Sequence, residues 1–127
     1  MARTLTAFLQ PNRVPDRVAL QRAIDALGRA LALDAGDDPF ATAGYRPCTL
    51  QGEDAGFDLR IGETPDTGDG RAILLTLTWS GDPREEAAAR IVCAALAAHF
   101  GARVQAGDAA QAVQALLAAA DACLESF

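Results

Sequence analysis

Residues 57–79, FDLRIGETPDTGDGRAILLTLTW, decide the fold that we expect for this chain. Phe57, Leu59 and Ile61 alternate with polar residues, which is the period-two pattern of a half-buried β-strand. A polar segment over residues 62–70 follows. The segment after it, ILLTLTW, carries four large apolar side chains on one face (Ile73, Leu75, Leu77 and Trp79) and Leu74, Thr76 and Thr78 on the other. Two such strands joined by a loop rich in Gly, Thr and Asp predict an antiparallel pair with one face covered.

Two further strands are predicted before this pair. Residues 45–50 favour a strand in which Pro47 cannot donate a ladder hydrogen bond, so Pro47 indicates an edge or a bulge. A hairpin loop is predicted over residues 51–56, because this segment contains two glycines and two acids. Residues 4–9 alternate loosely and predict a short edge strand. The three strands from residue 45 onward therefore predict an antiparallel meander.

A first helix is predicted between the N-terminal strand and the meander. Asn12 and Pro15 offer a helix start, and an apolar stripe follows from Leu20 to Leu31 at spacings of three and four residues. We expect this helix to end near Leu33, where acidic residues, glycine and proline break the pattern.

A second helix is predicted from Asp82 to Phe100, ending at Gly101. Asp82 is expected to cap the Glu85 amide, and Pro83 is expected to occupy the first helical position. The Glu85 side chain is expected to reach back to the start of the helix, as in a capping box.

The C-terminal part is predicted to hold a short strand and a last helix. Residues 102–105 favour the strand, which could pair in parallel at one edge after a crossover through the second helix. Asp108 and Gln111 form a capping pair that predicts the start of the helix. The expected order is (β)-α-β-β-β-α-β-α in a single α+β domain over residues 1–127, an antiparallel β-meander with two or three helices packed on one face.

Composition indicates a globular protein, because 50% of the 127 residues are hydrophobic and 22% are charged. No apolar run approaches the roughly 18 residues that cross a bilayer, and the start lacks a secretory apolar segment, so we expect a cytoplasmic protein with no membrane partner. Cys48, Cys93 and Cys123 are odd in number and widely spaced, which favours reduced, buried thiols over disulfides.

The ionisable residues exclude several kinds of chemistry. All 11 basic residues are arginine, which removes a phosphate-binding P-loop lysine and any lysine Schiff base. His99 is the only histidine, so several imidazoles cannot form a metal site within one chain. Residues 66–70 hint at a calcium loop, but they lack its third oxygen ligand, and Leu77 stands at the twelfth position where a glutamate is required. This segment therefore predicts a flexible turn. We therefore expect no enzyme, no catalytic residues, no cofactor and no metal.

Three pairs of reactive side chains were weighed as catalytic candidates. Glu85 and Glu86 point about 100° apart on a helix and suit its dipole instead. Ser80 and His99 would lie at opposite ends of one helix, on the order of 28 Å apart. A pair of Cys48 with His99 stays open, although a buried structural cysteine is more common.

The net charge of −6 is concentrated in one segment. Residues 34–69 hold nine acids and two arginines, or −7, whereas the remainder holds eight acids and nine arginines, or +1. This sign disfavours nucleic-acid binding. The acids either keep a solvated surface soluble or form a docking surface for a basic protein. The candidate partner-binding residues are Asp37, Asp38, Tyr45, Glu53, Asp54, Asp58, Glu63, Asp66 and Asp69.

One stretch of the acidic segment resembles a known class of proteins. It comprises Pro39-Phe40, Gly44-Tyr45-Arg46-Pro47-Cys48-Thr49-Leu50 and Gly52-Glu53-Asp54-Ala55-Gly56-Phe57. It is similar to a run in small cytoplasmic immunity proteins that accompany bacterial polymorphic and contact-dependent or type VI-delivered toxins. Arg46 and Asp58 depart from that run, where an apolar residue and a glutamate are expected.

The resemblance implies stoichiometric inhibition of a cognate protein toxin that acts in the cytosol, such as a nuclease, a deaminase or an NAD-consuming enzyme. The acidic loops suit a basic toxin best, and the inhibitor would be a monomer or a homodimer. The alternative is an acidic type III secretion chaperone, which has a similar size and holds an extended effector segment in an apolar groove. A small enzyme and a structural subunit of a larger assembly are two further alternatives.

Overall fold

A computed structural model of the chain describes residues 3–36, 38–65 and 71–125. Over these residues the chain is an α+β protein with seven strands, three α-helices and one turn of 3-10 helix. In chain order these are β1 (Thr4–Leu9), a 3-10 turn (Pro11–Arg13), α1 (Arg17–Ala26), β2 (Leu31–Leu33), β3 (Gly44–Leu50), β4 (Glu53–Pro65), β5 (Arg71–Thr78), α2 (Pro83–Phe100), β6 (Arg103–Ala106), β7 (Ala109–Ala110) and α3 (Val113–Glu125).

The described strands form one sheet in the order β2-β3-β4-β5-β1-β6-β7, and every pairing in it is antiparallel. Alternation along the strands separates an inner face from an outer face. Phe57, Leu59, Leu75 and Leu77 are buried on the inner face, where β4 and β5 pair Leu59 with Leu77. The paired β4 and β5 are the strands predicted from residues 57–79.

Helix α2 lies on the inner face and contacts β1, β3, β4 and β6. Nine of the ten residues 87–96 are buried, all but Arg90, because α1 and α3 pack against the sides of α2 that the sheet does not cover. Alanines supply much of this segment, so neighbouring backbones approach α2 closely. The helices thus occupy one side of the sheet, as the fold-class prediction stated.

The ends of α2 agree with the sequence prediction, but the capping partners differ. The Asp82 carboxylate accepts a hydrogen bond from the Arg84 amide at 2.9 Å instead of from the Glu85 amide. Glu85 accepts from the Ser80 hydroxyl at 2.7 Å, which fixes the turn before the helix. Gly101 ends α2 with φ +73°, a left-handed conformation that glycine adopts without a steric penalty.

The predicted extent of the first helix was wrong at both ends. Asp16, not Asn12, caps α1 by accepting from the Ala19 amide at 2.8 Å. The helix stops at Ala26 because Gly28, at φ +74°, turns the chain away. Residues 31–33, which continue the apolar spacing of the helix, form strand β2 instead.

Gln21 joins α1 to the free edge of β2. Its side-chain amide donates to the Leu31 carbonyl at 2.8 Å and accepts from the Leu33 amide at 2.8 Å. These are the backbone groups that a neighbouring strand would pair with, because the groups of Ala32 face β3. The same amide also donates to Asp25 at 3.1 Å. One side chain therefore takes the place of a strand at this edge.

Three predictions about the other strands were also wrong. Strand β1 is central, between β5 and β6, because the sheet extends past it to β7. The short strand β6 pairs with β1 in the antiparallel direction, so no parallel pairing is formed at this edge. The hairpin between β3 and β4 turns at Gln51 and Gly52, so Glu53 and Asp54 belong to a strand and not to a loop.

The last helix begins later than predicted. Asp108 lies in the turn between β6 and β7, a strand that the sequence analysis missed, and α3 starts at Val113. A two-point ion pair fixes α3 to the segment after α1, since Arg29 Nε and Nη2 donate to the two Asp121 carboxylate oxygens at 3.0 and 2.9 Å. None of the described helices has the length and apolar character needed to cross a membrane.

Replacing Gln21 with alanine is expected to lower the free energy of unfolding by about 1–3 kcal/mol, because two part-buried backbone groups of β2 lose their partners. Urea unfolding measures this change, and amide hydrogen exchange should show faster exchange at Leu33. Arg22→Ala changes the next, exposed residue of α1 and is the matched control. Unchanged exchange at Leu33 in Gln21→Ala would contradict the assigned role.

Candidate partner-binding surface

The outer face of the sheet is covered by none of the described helices, and it carries part of the predicted site. On β4 the outward side chains include Asp54 and Asp58, both exposed. Tyr45 on β3 pairs with Asp58, and Thr49 pairs with Asp54. Residues two apart in a strand share a face, so these carboxylates and the phenol share one surface.

Tyr45 is held in place although half of it is exposed (50%). Its hydroxyl donates to the Ala55 carbonyl at 3.0 Å, and its ring lies over Gly56 on the neighbouring strand. Gly56 has φ +145°, and a Cβ there would meet the Tyr45 ring and lie 2.8 Å from the Arg46 carbonyl oxygen. Only glycine leaves room for the ring in this position.

The surroundings of Tyr45 are electrically negative. Desolvation raises the pKa of the Tyr45 phenol above its ordinary value of 10.0, and the charge of Glu85 is the next largest cause. The Cys48 thiol, Asp58 and Asp54 raise this pKa further. The phenol therefore stays protonated at neutral pH and can donate or accept hydrogen bonds at the surface.

A groove crosses the outer face beside Tyr45, and we call it the β3 groove. It has a volume of about 390 Å³ and is lined by Ala32, Leu33, Asp34, Ala35, Pro47, Cys48, Thr49 and Asp54. Its residues come from β2 and the turn after it, from β3, and from β4. The lining is mostly small and apolar, and the exposed carboxylates Asp34 and Asp54 belong to its two opposite sides.

A second depression lies on the other side of Ala35, at the N-terminus of α1. It is lined by Asp16, Arg17, Val18, Ala35, Gly36 and Asp38. The Asp38 carboxylate accepts from the Arg17 amide at 3.2 Å, so two carboxylates, Asp16 and Asp38, satisfy helix-terminal amides here. Val18 is 47% exposed between them.

We define the acidic surface as Asp16, Val18, Asp34, Asp38, Tyr45, Asp54 and Asp58. It extends from the α1 N-terminus over the turn at Ala35 to the outer face of β3 and β4. Asp16, Val18 and Asp34 are not among the residues predicted for the site. Asp34 could have been found as the first acid of the charged segment, whereas Val18 gives no sequence signal because an exposed valine is common.

The other predicted site residues lie elsewhere or outside the described residues. Glu53 begins β4 opposite Leu50, on the alternate face from Asp54. Glu63 lies near the other end of β4, roughly 33 Å from Glu53 at about 3.3 Å per residue. Asp37, Asp66 and Asp69 lie outside the residues that the structure describes. The acidic segment thus contributes to one surface only in part.

The thiols are placed where they react poorly. Burial raises the pKa of the Cys48 thiol to about 12, and the charge of Glu85 adds to the increase. Burial likewise raises the pKa of Cys93 to about 12 and that of Cys123 to about 11. Since a thiolate is the reactive form, these values disfavour nucleophilic catalysis by cysteine.

The structure also separates Cys48 from His99. Cys48 lies within electrostatic range of Glu85, in the first turn of α2, and His99 lies in the last turn of the same helix. The rise from Glu85 to His99 is roughly 21 Å at 1.5 Å per residue. The two side chains therefore do not form a nucleophile–base pair. Among the described residues, no group of three or more His, Cys, Asp or Glu side chains is arranged to hold a metal ion.

Comparison of the chain with known proteins gives no relative: no protein-family model, no curated protein and no solved structure matches it.

Replacing Gly56 with alanine is expected to displace the Tyr45 ring and to destabilise the protein by about 1–3 kcal/mol, because alanine is strained at a positive φ and meets the ring. Tyr45 is the only tyrosine, so ultraviolet titration of the folded protein reports its pKa directly. The pKa should lie above 10 in the parent protein and fall towards 10 in the variant.

Gly62→Ala is the matched control for Gly56→Ala. Gly62 lies on the same face of β4, its φ is not positive, and a Cβ there meets nothing within 4 Å. It should leave both the stability and the Tyr45 titration nearly unchanged. Equal effects of the two substitutions would contradict the packing of Tyr45 on Gly56.

Iodoacetamide at pH 8 is expected to leave Cys48 and Cys93 unlabelled in the folded protein and to label both after unfolding in urea, as read by mass spectrometry. With a pKa of about 12, roughly one Cys48 thiol in 10⁴ is ionised at pH 8. Rapid labelling of the folded protein at Cys48 would contradict its burial.

The raised pKa of Cys48 also makes the stability of the protein depend on pH. A folded-state pKa above the unfolded value of 9.0 favours the folded state below pH 9, and this contribution to the free energy of unfolding is lost as the pH rises from about 9 to about 12.

Proposed function

We propose that this protein is an immunity protein, which binds a basic, cytosol-acting protein toxin through the acidic surface and inhibits it stoichiometrically. The observation that carries the proposal is the position of the exposed apolar side chains. Val18 and Tyr45 are the large apolar residues that are exposed in the described part of the chain. Val18 lines a depression together with Asp16 and Asp38, and Tyr45 pairs with Asp58 across two strands. A surface that combines apolar anchors with an excess of carboxylates suits recognition of a basic protein.

The two kinds of side chain would have different tasks in binding. The carboxylates attract a basic partner electrostatically, and this attraction raises the association rate. Dissolved salt screens the attraction, so its range shortens as the ionic strength rises. Val18 and Tyr45 would be buried on contact and would supply much of the affinity. A toxin that degrades nucleic acid binds phosphates with basic residues, so a row of carboxylates can occupy the same residues and block substrate entry.

The acidic surface is fixed before a partner arrives. Asp54 and Asp58 lie in a strand that is paired on both sides, and Asp16 and Asp38 are held by amides of α1. Tyr45 is held by its hydrogen bond to Ala55. Because the strand and the helix end that carry these side chains are already ordered, binding costs less conformational entropy, which supports tight inhibition.

The alternative proposal is a type III secretion chaperone, which would hold an extended effector segment in an apolar groove. The exposed apolar side chains favour the inhibitor over the chaperone. Val18 and Tyr45 are separated by the turn at Ala35 and flanked by carboxylates, an arrangement that suits two anchors better than a continuous apolar groove.

The proposal is tested by capture followed by a growth assay. A tagged form of the chain is used to isolate binding proteins from the source cell, and each captured protein is expressed alone and together with this chain. An immunity protein requires that the partner stop growth when expressed alone and that co-expression restore growth through a one-to-one complex. A partner that is harmless alone and is exported only in the presence of this chain would instead establish the chaperone.

Neutralising Asp54 and Asp58 together, as Asp54→Asn with Asp58→Asn, is expected to slow association with the captured toxin about 10-fold at low salt and to flatten the salt dependence of the rate. Stopped-flow fluorescence at two salt concentrations measures both effects. Asp108→Asn with Glu125→Gln removes the same charge from exposed positions outside the acidic surface and is the control. Equal slowing by the two double variants would show that net charge, and not this surface, governs binding.

A further inference from the structure

The β3 groove has the shape and the charge of a site for one long cationic side chain. Its floor follows β3, where Pro47 and Thr49 face outward, and its sides come from β2 and β4. Neighbouring strands lie about 4.8 Å apart, so the two sides of the groove, on β2 and β4, are about 10 Å apart. This width admits a single extended side chain between them.

Carboxylates and apolar groups divide the lining of the groove. Asp34 lies on the β2 side and Asp54 on the β4 side, so a group placed between them meets negative charge from both directions. The ring of Pro47 and the side chain of Ala32 are apolar, face the groove and would contact methylene groups. A ligand that fits must therefore have an aliphatic stem and a cationic end.

We propose that the β3 groove binds an arginine side chain of the protein partner, an inference that rests on the proposed function. The three methylenes of the arginine lie against Pro47 and Ala32, and its guanidinium is placed between Asp34 and Asp54. A guanidinium has five N–H donors in one plane and can bond to two carboxylates at once, and its flat face can lie on an apolar surface. A lysine ammonium is a compact and strongly hydrated charge that gains less from these contacts.

The proposal also gives the groove a part in specificity. Charge on the acidic surface attracts basic proteins in general, whereas the groove accepts only a side chain that projects far enough to reach its floor. A partner that presents an arginine at the correct distance from the residues contacting Tyr45 would fit both features together. The groove would thus select one basic partner from others of similar charge.

The test uses a small probe, so it does not depend on isolating the partner. Nα-acetyl-arginine amide is titrated into the ¹⁵N-labelled protein, and amide chemical shifts are followed. The expected shifts are confined to residues 32–35, 49 and 54, with weak, millimolar-range affinity. The neutral analogue Nα-acetyl-citrulline amide should cause no comparable shifts, since it has the same length without the charge.

Two variants separate the groove from general attraction by acids. Asp34→Asn with Asp54→Asn should weaken binding of the arginine probe at least about tenfold, because both charge-assisted contacts are lost. Ala32→Phe keeps every charge but fills the groove from an exposed position, and it should also abolish the shifts. Asp108→Asn with Glu125→Gln removes two charges elsewhere and should bind the probe as the parent protein does.

Several results would overturn the proposal. They are the absence of shifts up to the solubility limit of the probe, shifts spread over acidic residues outside the groove, full binding by Ala32→Phe, and equal binding of citrulline. Equal binding of Nα-acetyl-lysine amide would overturn the assignment to arginine. The proposed function is judged separately by restoration of growth, so a captured and neutralised toxin together with an empty groove would reject this inference alone.

Discussion

Burial of α2 against the inner face of the sheet is the constraint on which the rest of the structure depends. Residues 87–89 and 91–96 of this helix are buried, so the sheet, α1 and α3 must surround it. The many alanines of α2 allow the sheet, α1 and α3 to approach it closely. The apolar side chains on the inner face of the sheet are buried by their contact with α2. Because the described helices gather around α2 on one side, the outer face of the sheet is left exposed to solvent.

The edge of the sheet next to the acidic surface is closed by side-chain hydrogen bonds. Gln21 bonds to the backbone groups of β2 that an added strand would use, and β2 itself has only three residues. Short strands and satisfied backbone groups discourage pairing with another chain at such an edge. Under the proposed function, a partner at this side of the molecule would therefore contact side chains, namely the carboxylates, Tyr45 and Val18, and would not add a strand.

The parts of the fold that sequence predicted well are those with a strong period and clear end signals. The pairing within residues 57–79 follows from alternation, and α2 is bounded by Asp82 and Gly101. The junction of α1 and β2 failed because Leu31 continues the helical spacing, while only Gly28 marks the true end. Strands of two to four residues, such as β6 and β7, are too short to show a period at all.

For the candidate site, the amino-acid composition could be read from the sequence, but the strand register could not. The charge of the segment could be counted from sequence, but which acids meet depends on strand pairing, since Glu53 and Asp54 are adjacent in sequence and lie on opposite faces. Asp34 reaches the site only because β2 pairs with β3, and β2 was not predicted.

The carboxylates of the acidic surface also differ in what they contribute to the fold. Asp16 and Asp38 each use one oxygen to hold an amide of α1, so removing either one would weaken both the helix and the surface. Asp54 and Asp58 project from the middle of a paired strand, whose backbone is fixed whatever the side chain is. Neutralising the acids on β4 therefore changes charge while leaving the scaffold intact. Loss of binding there can be assigned to electrostatics, whereas loss of binding at α1 would combine electrostatics with unfolding of the helix end.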